Sequence, residues 1–398
     1  MTGLGLDAVN RRFAERPLVL TQHACDTGVV FLVGALMTLG MVMVYSASVT
    51  INGAELDWRH WWTTPLKQCV FSLVGFVFML FVAHLDYRLF SWERRIDAWL
   101  PLGLYILSAI LLSLMFVPGI GRVSGIQRAI VIPGVPFTFQ PAEFAKVIAV
   151  IWLAALLSRP GFNVRLLLRG YVPAILSAGL LIGLTGIEDF GTAALIGVVT
   201  LLLLVLAGAR WSHLVGTGLL GLAAGAFLIW MKPYRLQRIT TFFSEQPNEA
   251  AEGYQVSQSL IAIGSGGWFG RGLGAGVQKY DYLPQDNNDF IFAILCEEIG
   301  VVGGCIVVLL FLLLLWRGWR LTSRAIDPFG RLLAAGITLM LCLQAAFNIA
   351  VVTNSIPTKG ISLPFVSAGG SGVLFLGLAA GLLASVGRFQ IVRAPKRT

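Results

Sequence analysis

The sequence predicts an all-α polytopic membrane protein with ten transmembrane helices. Of its 398 residues, 57% are hydrophobic and only 12% are charged, a balance unlike that of soluble domains. Apolar runs of roughly 20 residues, enough to cross about 30 Å of hydrocarbon, recur along the whole chain. We therefore expect a single membrane domain over residues 1–398.

The ten predicted spans are joined mostly by short connections, as in a helix bundle. The first span is too long for a signal-peptide core, and we expect it to be retained. Each span runs about 17 to 27 residues, and the spans begin at Val29, Gln68, Ala98, Pro141, Tyr171, Phe190, His213, Asp289, Leu332 and Gly369.

The distribution of Lys and Arg predicts the orientation. If the N-terminus is inside, the inside segments hold twice as many of these residues as the outside ones, and positively charged loops stay in the cytoplasm. We therefore expect cytoplasmic tails at 1–28 and 388–398. A large extracytoplasmic loop, 232–288, is expected between helices 7 and 8, with an interfacial helix near Tyr254 to Ile263 and then a glycine-rich turn region.

Composition also excludes several classes of function. The net charge of +9 follows from this topology and from contact with anionic lipid headgroups, so no nucleic-acid partner is expected. The five Cys and four His are scattered singly, which predicts neither a disulfide framework nor a protein metal site. The glycine series Gly267–Gly276 follows no strand and has no Walker lysine, so nucleotide binding is not expected either.

Asp289 stands where the eighth apolar span begins, in the stretch LPQDNNDFIFAILCEEIG. Its carboxylate could accept backbone N–H groups in the first helical turn, a purely structural use. Alternatively, a carboxylate at a partly desolvated membrane boundary has a raised proton affinity, which suits a general base. The residues alone leave both readings open.

Two further acids, Glu297 and Glu298, lie deeper in the same span. At 100° per residue, Glu297 could lean toward the side of Asp289, whereas Glu298 points to the opposite side. Intramembrane acids are costly and usually face protein or water. A structural ion pair is the preferred reading for both.

The other intramembrane polar residues come in helical pairs. Glu143 and Lys146 are spaced i, i+3, and a self-neutralising pair is preferred over a proton or ion pathway. Gln344 and Asn348 are spaced i, i+4 and are typical of hydrogen bonds between helices. With Glu297 and Glu298, these residues form the predicted structural polar core.

The glycine-rich segment PTKGISLPFVSAGGSG, residues 357–372, connects the last two spans. Its exposed N–H groups, with Lys359 adjacent, could cradle a phosphate. Close packing between helices is an equally good explanation.

Seven ordered motifs resemble the SEDS family (shape, elongation, division and sporulation), which comprises FtsW, RodA and SpoVE. The residues VQK and YLP resemble the FtsW branch more than the RodA branch. The motifs are VMVYSAS, FQPAEFAK, DFGTA, YQVSQSLIAIGSGGWFGRGLG, VQKYDYLP, DFIFAILCEEIG and PTKGISLPFVSAGGSG.

This resemblance implies ten transmembrane helices and a peptidoglycan glycosyltransferase that polymerises lipid II into β-1,4 glycan strands. It implies a class B penicillin-binding protein as partner, along with other divisome proteins, at the septum of the bacterial inner membrane. It also implies that the acid of the D-F-I-F motif, Asp289, is catalytic.

The implied leaving group is a polyprenyl diphosphate, whose developing charge needs cations or donors. The outer-side candidates are Lys359, Lys279, Arg235 and Arg238. A divalent cation, Mg²⁺ or Mn²⁺, could share this task, and no other cofactor is expected. Further candidate substrate contacts are Gln278, Gln258, Ser367, Gly369, Gly370 and Ser371.

Two other functions compete with catalysis. A lipid II flippase would also need ten helices and a polar interior, and it predicts that the mid-membrane residues matter more than Asp289. A non-catalytic divisome scaffold is suggested only by residues 285–288, where QDNN departs from the family pattern.

Overall fold

The computed structural model describes most of the chain, and all structural statements below refer to these ranges. They are residues 18–22, 25–52, 64–92, 99–117, 122–123, 126–127, 129–131, 138–243, 251–276, 289–358 and 360–393.

Twelve α-helices are described in these ranges. They are α1 (Thr27–Asn52), α2 (Thr64–His84), α3 (Trp99–Leu114), α4 (Pro141–Leu157), α5 (Val172–Glu188), α6 (Phe190–Leu206), α7 (Trp211–Trp230), α8 (Pro233–Phe243), α9 (Ala251–Gly266), α10 (Ile291–Arg324), α11 (Pro328–Val352) and α12 (Gly370–Val386).

Each of the ten predicted spans contains one of these helices. Six helical segments, those within α1, α2, α5, α7, α10 and α11, are long and apolar enough to cross a membrane by length and composition. Three others, α3, α6 and α12, are shorter apolar helices. The tenth, α4, is the segment that carries Glu143 and Lys146.

The predicted all-α class describes the fold well, since helices make up most of it, and three short antiparallel ribbons accompany them. One ribbon joins the two ends of the chain, since Leu18–Gln22 (β1) pairs with Phe389–Arg393 (β6). The others are two-residue pairs between α3 and α4: Arg122–Val123 (β2) with Ile126–Gln127 (β3), and Ile130–Val131 (β4) with Thr138–Phe139 (β5).

The core lies between α1, α4, α10, α11 and α12. Helix α4 is buried along almost its whole length, from Pro141 to Leu156. Helix α7 is the opposite case, because Leu214 is its one buried residue among those described. Charged side chains in α4 must therefore find partners inside the protein, since neither water nor headgroups can reach them.

The bundle has two ends that are built differently. At the end where the chain termini pair, Arg317 makes a bidentate ion pair with Asp26, at 3.0 and 2.8 Å. Nearby, Tyr87 donates a hydrogen bond to Asp327, and that carboxylate also caps the first turn of α11. Asp289 lies at the other end, which we call the Asp289 end.

Helix α10 is broken near its start, at Gly300, where φ is +82° and ψ is −176°. The break leaves helical N–H and C=O groups without intrahelical partners, and the glycine-rich turn 267–272 supplies them. The four hydrogen bonds are Arg271 N to Glu297 O (3.0 Å), Gly272 N to Glu298 O (3.0 Å), Val301 N to Gly267 O (2.9 Å) and Val302 N to Trp268 O (3.2 Å).

The helix expected at the interface near Tyr254 to Ile263 is longer and reaches deeper. It is α9, which ends at Gly266, where a Cβ atom would lie 2.0 Å from the carbonyl oxygen of Cys296. Cys296 is five residues into α10, about 7.5 Å along its axis. The chain therefore enters the bundle and turns back, which explains the glycines at the turn.

We predict that Gly300→Ala destabilises the protein by at least about 2 kcal/mol. A non-glycine residue with a left-handed backbone is strained, and the new Cβ would lie 2.4 Å from Gly270 N and Trp268 O. Thermal unfolding in detergent measures the loss. Gly218→Ala in α7, where no atom lies within 4 Å, is the matched control and should not lower the melting temperature. Equal melting temperatures for both variants would contradict this account.

Candidate functional site

Asp289 lies in the turn immediately before α10 and is partly exposed. The N-cap position of α10 is held by Phe290, which makes no side-chain cap hydrogen bond. The peptide carbonyl of Asp289 accepts a hydrogen bond from Asn348 Nδ2 of α11 at 2.8 Å. A buried amide of α11 thus holds this turn at the end of the bundle.

The same amide also holds the loop between α11 and α12. Asn348 Nδ2 donates to the carbonyl of Ile361 at 2.8 Å. One helical turn away, Gln344 Nε2 donates to the carbonyl of Ser362 at 2.9 Å. Two amides at i and i+4 therefore fix two consecutive carbonyls of the loop, next to the turn of Asp289.

A buried ion pair continues this network into the bundle. Lys146 Nζ donates to Glu143 Oε2 at 2.8 Å and to Gln344 Oε1 at 2.6 Å. All three side chains are buried, with relative exposures of 2%, 6% and 1%. A polar chain thus runs from Glu143 through Lys146 and Gln344 to the loop at Ser362.

A cavity of about 250 Å³ opens beside this loop. Its wall includes Gly360, whose chain neighbour Ile361 shares the Asn348 amide with Asp289. The cavity therefore lies next to the structure that holds Asp289. It is lined by Asp189, Phe190, Gly191, Ile229, Arg235, Arg238, Ile239, Pro357, Thr358 and Gly360.

The two cavity arginines differ in their surroundings. Arg235 is only 5% exposed and donates to the carbonyls of Gly186 (3.1 Å), Ile187 (2.8 Å) and Leu228 (3.1 Å). It thereby satisfies carbonyls at the end of α5, where a cation is favourable. Arg238 is half-buried and also lines the cavity.

Asp189 gives the cavity one acidic residue, but its oxygens have structural partners. Oδ1 accepts from the N–H of Thr192 at 3.0 Å, and Oδ2 accepts from the Thr192 hydroxyl at 2.8 Å. Asp189 is thus the N-cap of α6. The pattern Asp-x-x-Thr in DFGTA was visible in the sequence, but nothing there indicated that this cap forms a cavity wall.

The buried acids of α10 serve the helix break. The Glu297 carboxylate is fully buried, 3.6 Å from Arg271 Nη1. Glu298 accepts a 2.6 Å hydrogen bond from the hydroxyl of Ser46, which itself accepts from the N–H of Gly274. Glu297 thus pairs with Arg271 of the glycine-rich turn, in agreement with the structural ion pair preferred from the sequence.

The segment Ser367–Ser371 serves packing. Gly369 donates its N–H to Gln68 Oε1 at 3.1 Å, and Ser367 Oγ accepts from Leu363 N at 2.7 Å. Ser371 Oγ accepts from Gln140 N at 3.2 Å, and a Cβ at Gly370 would lie 3.3 Å from the Phe71 ring. These contacts favour close helix packing over the phosphate cradle that the sequence left open.

The remaining candidates are located only in part. Gln258 is half-buried on α9. Lys279, Gln278 and Lys359 lie outside the described residues. Within the described part of the chain, no three His, Cys, Asp or Glu side chains gather as a metal cluster would.

The chain belongs to the FtsW/RodA/SpoVE family of multi-pass membrane proteins, because the model of that family, described as "Cell cycle protein", matches residues 27–391. Stage V sporulation protein E of Bacillus subtilis is 39% identical over 89% of this chain and 94% of that relative. The probable peptidoglycan glycosyltransferase FtsW of Alkalilimnicola ehrlichii is 41% identical over 88% of this chain and 86% of that relative.

Solved structures share the fold. A chain from "Structural coordination of polymerization and crosslinking by a peptidoglycan synthase complex" superposes with a TM-score of 0.71 at 27% identity, covering 92% of this chain and 98% of that one. The rod shape determining protein RodA of Thermus thermophilus gives a TM-score of 0.63 at 28% identity, with the same coverage. The SEDS family predicted from the sequence motifs is thus confirmed.

We predict that Lys146→Met destabilises the protein by about 3 to 5 kcal/mol, because it leaves the Glu143 carboxylate buried and uncompensated. The double variant Glu143→Gln/Lys146→Met removes both charges and should recover part of this loss. Thermal unfolding in detergent compares the three proteins. A single variant as stable as the parent would show that the ion pair does not support the core.

Proposed function

We propose that this protein is a peptidoglycan glycosyltransferase that polymerises lipid II, with Asp289 as its general base. The observation that carries the proposal is the placement of Asp289: partly exposed, at one end of a membrane bundle, held by an amide that also holds the wall of an arginine-containing cavity. Family membership and the glycosyltransferase names of relatives support it.

The proposed reaction is a single displacement. The Asp289 carboxylate accepts the proton of the acceptor sugar 4-hydroxyl as that oxygen attacks the anomeric carbon of the donor sugar. The new glycosidic C–O bond forms while the bond from that carbon to the diphosphate breaks. An α-linked donor is thereby inverted to a β-1,4 product, and polyprenyl diphosphate leaves with the bonding electron pair.

The cavity suits the leaving group. Negative charge grows on the diphosphate as the bond breaks, and preorganised cations lower the cost of that charge. Arg238, half-buried on α8, is the described side chain best placed to contact it, while Arg235 adds positive charge from behind. Lys279 and Lys359 remain proposed contacts from segments outside the described residues.

A divalent cation remains part of the proposal as an aid to the diphosphate. Mg²⁺ usually keeps several waters and binds through one or two carboxylates together with substrate phosphates, so a three-residue cluster is not required. No step of the reaction is assigned to it. Titrating Mg²⁺ or Mn²⁺ into chelator-treated enzyme would test the requirement.

The topology and partners follow from this reaction. We propose that all ten helices span the inner membrane, with both termini cytoplasmic and the Asp289 end facing outward, where glycan strands are made. A class B penicillin-binding protein would cross-link the product, in line with the synthase complex that this fold resembles. The septum and other divisome proteins are the proposed setting.

The flippase reading receives less support from the contacts. A lipid carrier needs a polar path that a headgroup can follow through the bundle. Lys146, Glu143 and Gln344 instead bond to one another, and all three are buried. These side chains stabilise a closed core, whereas Asp289 is partly exposed at one end of the bundle.

We predict that Asp289→Asn lowers glycan chain formation by about 10² to 10⁴-fold, the usual contribution of a positioned general base. The assay is polymerisation of lipid II by the protein reconstituted with its class B penicillin-binding protein, followed by mass analysis of the products. Undiminished polymerisation by a folded variant would remove the proposed base. Binding to the partner without any product, in the parent protein too, would favour the scaffold.

Glu188→Gln is the matched control, because Glu188 is also a half-buried carboxylate at the Asp289 end. It lines a crevice of about 20 Å³ between α3, α4 and α5, which has Asp189 in common with the cavity but neither of the cavity arginines. This variant should polymerise lipid II at the parental rate. Equal losses in both variants would point to a general charge effect instead of base catalysis.

We predict that Arg238→Gln lowers the polymerisation rate by about 10 to 100-fold, because a cation at the leaving diphosphate is lost. Arg169→Gln, an exposed arginine near the other end of the bundle, should leave the rate unchanged. An Arg238→Gln enzyme with parental kcat and KM would show that the cavity does not receive the diphosphate.

A further inference from the structure

We propose that Asn348 is the positioning residue of the active site, acting through the peptide of Asp289 and through the cavity loop. Its role rests on the proposed function of Asp289 as the base. Asn348 lies on α11, 59 positions away from Asp289 in sequence. No chemistry is assigned to its own side chain.

The Asn348 side chain makes hydrogen bonds to two separate segments of the backbone. The Asn348 amide nitrogen donates to the carbonyl of Asp289 at 2.8 Å and to the carbonyl of Ile361 at 2.8 Å. A primary amide has two N–H groups, so both are used, one on each side. One rigid group thus sets the distance between the turn that carries the base and the loop that walls the cavity.

The oxygen of the Asn348 amide, unlike its nitrogen, makes no contact that the site requires. Asn348 is 1% exposed, and its Oδ1 accepts no hydrogen bond from the described residues. A buried acceptor without a donor costs stability, and an apolar side chain of similar size would avoid that cost. The amide is therefore best explained by its two donors, not by its contribution to core packing.

The loop that Asn348 holds contains a strained backbone conformation. Phe365, 1% exposed, has φ of +65°, a conformation that costs about 1 to 3 kcal/mol and persists only where the surroundings enforce it. Gln344 and Asn348 supply that enforcement at Ser362 and Ile361. Without these ties, the loop could relax and move the cavity wall away from Asp289.

The helix then connects the site to the core. Gln344 holds the loop with its nitrogen and Lys146 with its oxygen. Within the described part of the chain, the hydrogen bonds of Asn348 go to backbone carbonyls and not to a charged side chain, so its substitution changes the site without uncovering a buried charge. Asn348 is therefore the member of the pair that can be varied with the smaller risk to folding.

The expected kinetic effect is specific. A base displaced by about 1 Å loses roughly two orders of magnitude in rate, whereas binding of a large lipid-linked substrate depends on many contacts. We expect Asn348→Leu to lower kcat by about 10 to 100-fold and to change KM less than about three-fold. A residue that served only to stabilise the fold would lower the amount of active protein and leave kcat per folded molecule unchanged.

A second variant, Asn348→Asp, should show a pH dependence of activity that a purely structural role would not produce. In Asn348→Asp, an ionised carboxylate faces two carbonyl oxygens and can donate to neither, while its protonated form can donate one hydrogen bond. Activity relative to the parent should therefore rise as the pH is lowered. A pH profile parallel to that of the parent would contradict the proposal.

The matched control is Ser259→Ala. Ser259 on α9 is fully buried, and its hydroxyl is shared between the carbonyls of Val256 at 2.8 Å and of Val352 on α11 at 3.0 Å. The variant removes a buried tie to the same helix one turn farther on, without touching Asp289 or Ile361. It should keep the parental kcat.

The experiment measures lipid II polymerisation with the reconstituted full-length protein and its partner, normalised to folded protein by thermal unfolding. Asp289→Asn is run alongside. If Asp289→Asn is inactive but Asn348→Leu keeps the parental kcat, the positioning role of Asn348 is overturned and the proposed base is not. An active Asp289→Asn would overturn the proposed base, and the role of Asn348 with it.

Discussion

Where the backbone departs from helical geometry inside a membrane bundle, its N–H and C=O groups must form hydrogen bonds within the protein, because lipid offers no hydrogen-bonding partner. This protein leaves helical geometry twice near Asp289. The first place is the break in α10 at Gly300, whose free groups bond to the turn 267–272. The second is the loop after α11, whose carbonyls at Ile361 and Ser362 bond to the amides of Asn348 and Gln344.

These two places are closed by different kinds of hydrogen bond. The break in α10 is closed by backbone against backbone, which requires glycines because a Cβ at Gly266 or Gly270 would meet a carbonyl. The loop after α11 is closed by side chains, which can be oriented by further partners. The first arrangement fixes the glycine-rich turn against the break, and the second connects the Asp289 turn, a cavity wall and a buried ion pair through Gln344 and Asn348.

The buried polar groups of this bundle therefore form separate sets of contacts. Glu143 and Lys146 neutralise each other and engage Gln344. Glu297 pairs with Arg271 of the glycine-rich turn, and Glu298 is linked through the Ser46 hydroxyl to the backbone of Gly274. Asp289 lies at the partly exposed end of the bundle, in a turn whose carbonyl is held by the same amide that holds the cavity loop.

The sequence by itself determined the membrane class, the ten helical segments and the family. Apolar runs of membrane length and seven ordered motifs are local properties, and a helix satisfies its own backbone within one segment, so no tertiary information is needed. The helical spacing of Glu143 and Lys146 likewise indicated their pairing. The sequence also singled out Asp289 as a candidate, and the family resemblance alone favoured a base over a helix cap.

The tertiary structure alone decided which distant groups meet. Asn348 and Asp289 are 59 residues apart, and no periodicity predicts that an amide of α11 bonds to the peptide before α10. The same holds for Gln68 and Gly369, for the cavity between α6, α8 and the loop at 357–360, and for the glycine turn in the break of α10. Such contacts depend on how helices pack, and packing is set by the summed fit of many side chains, which short motifs do not encode.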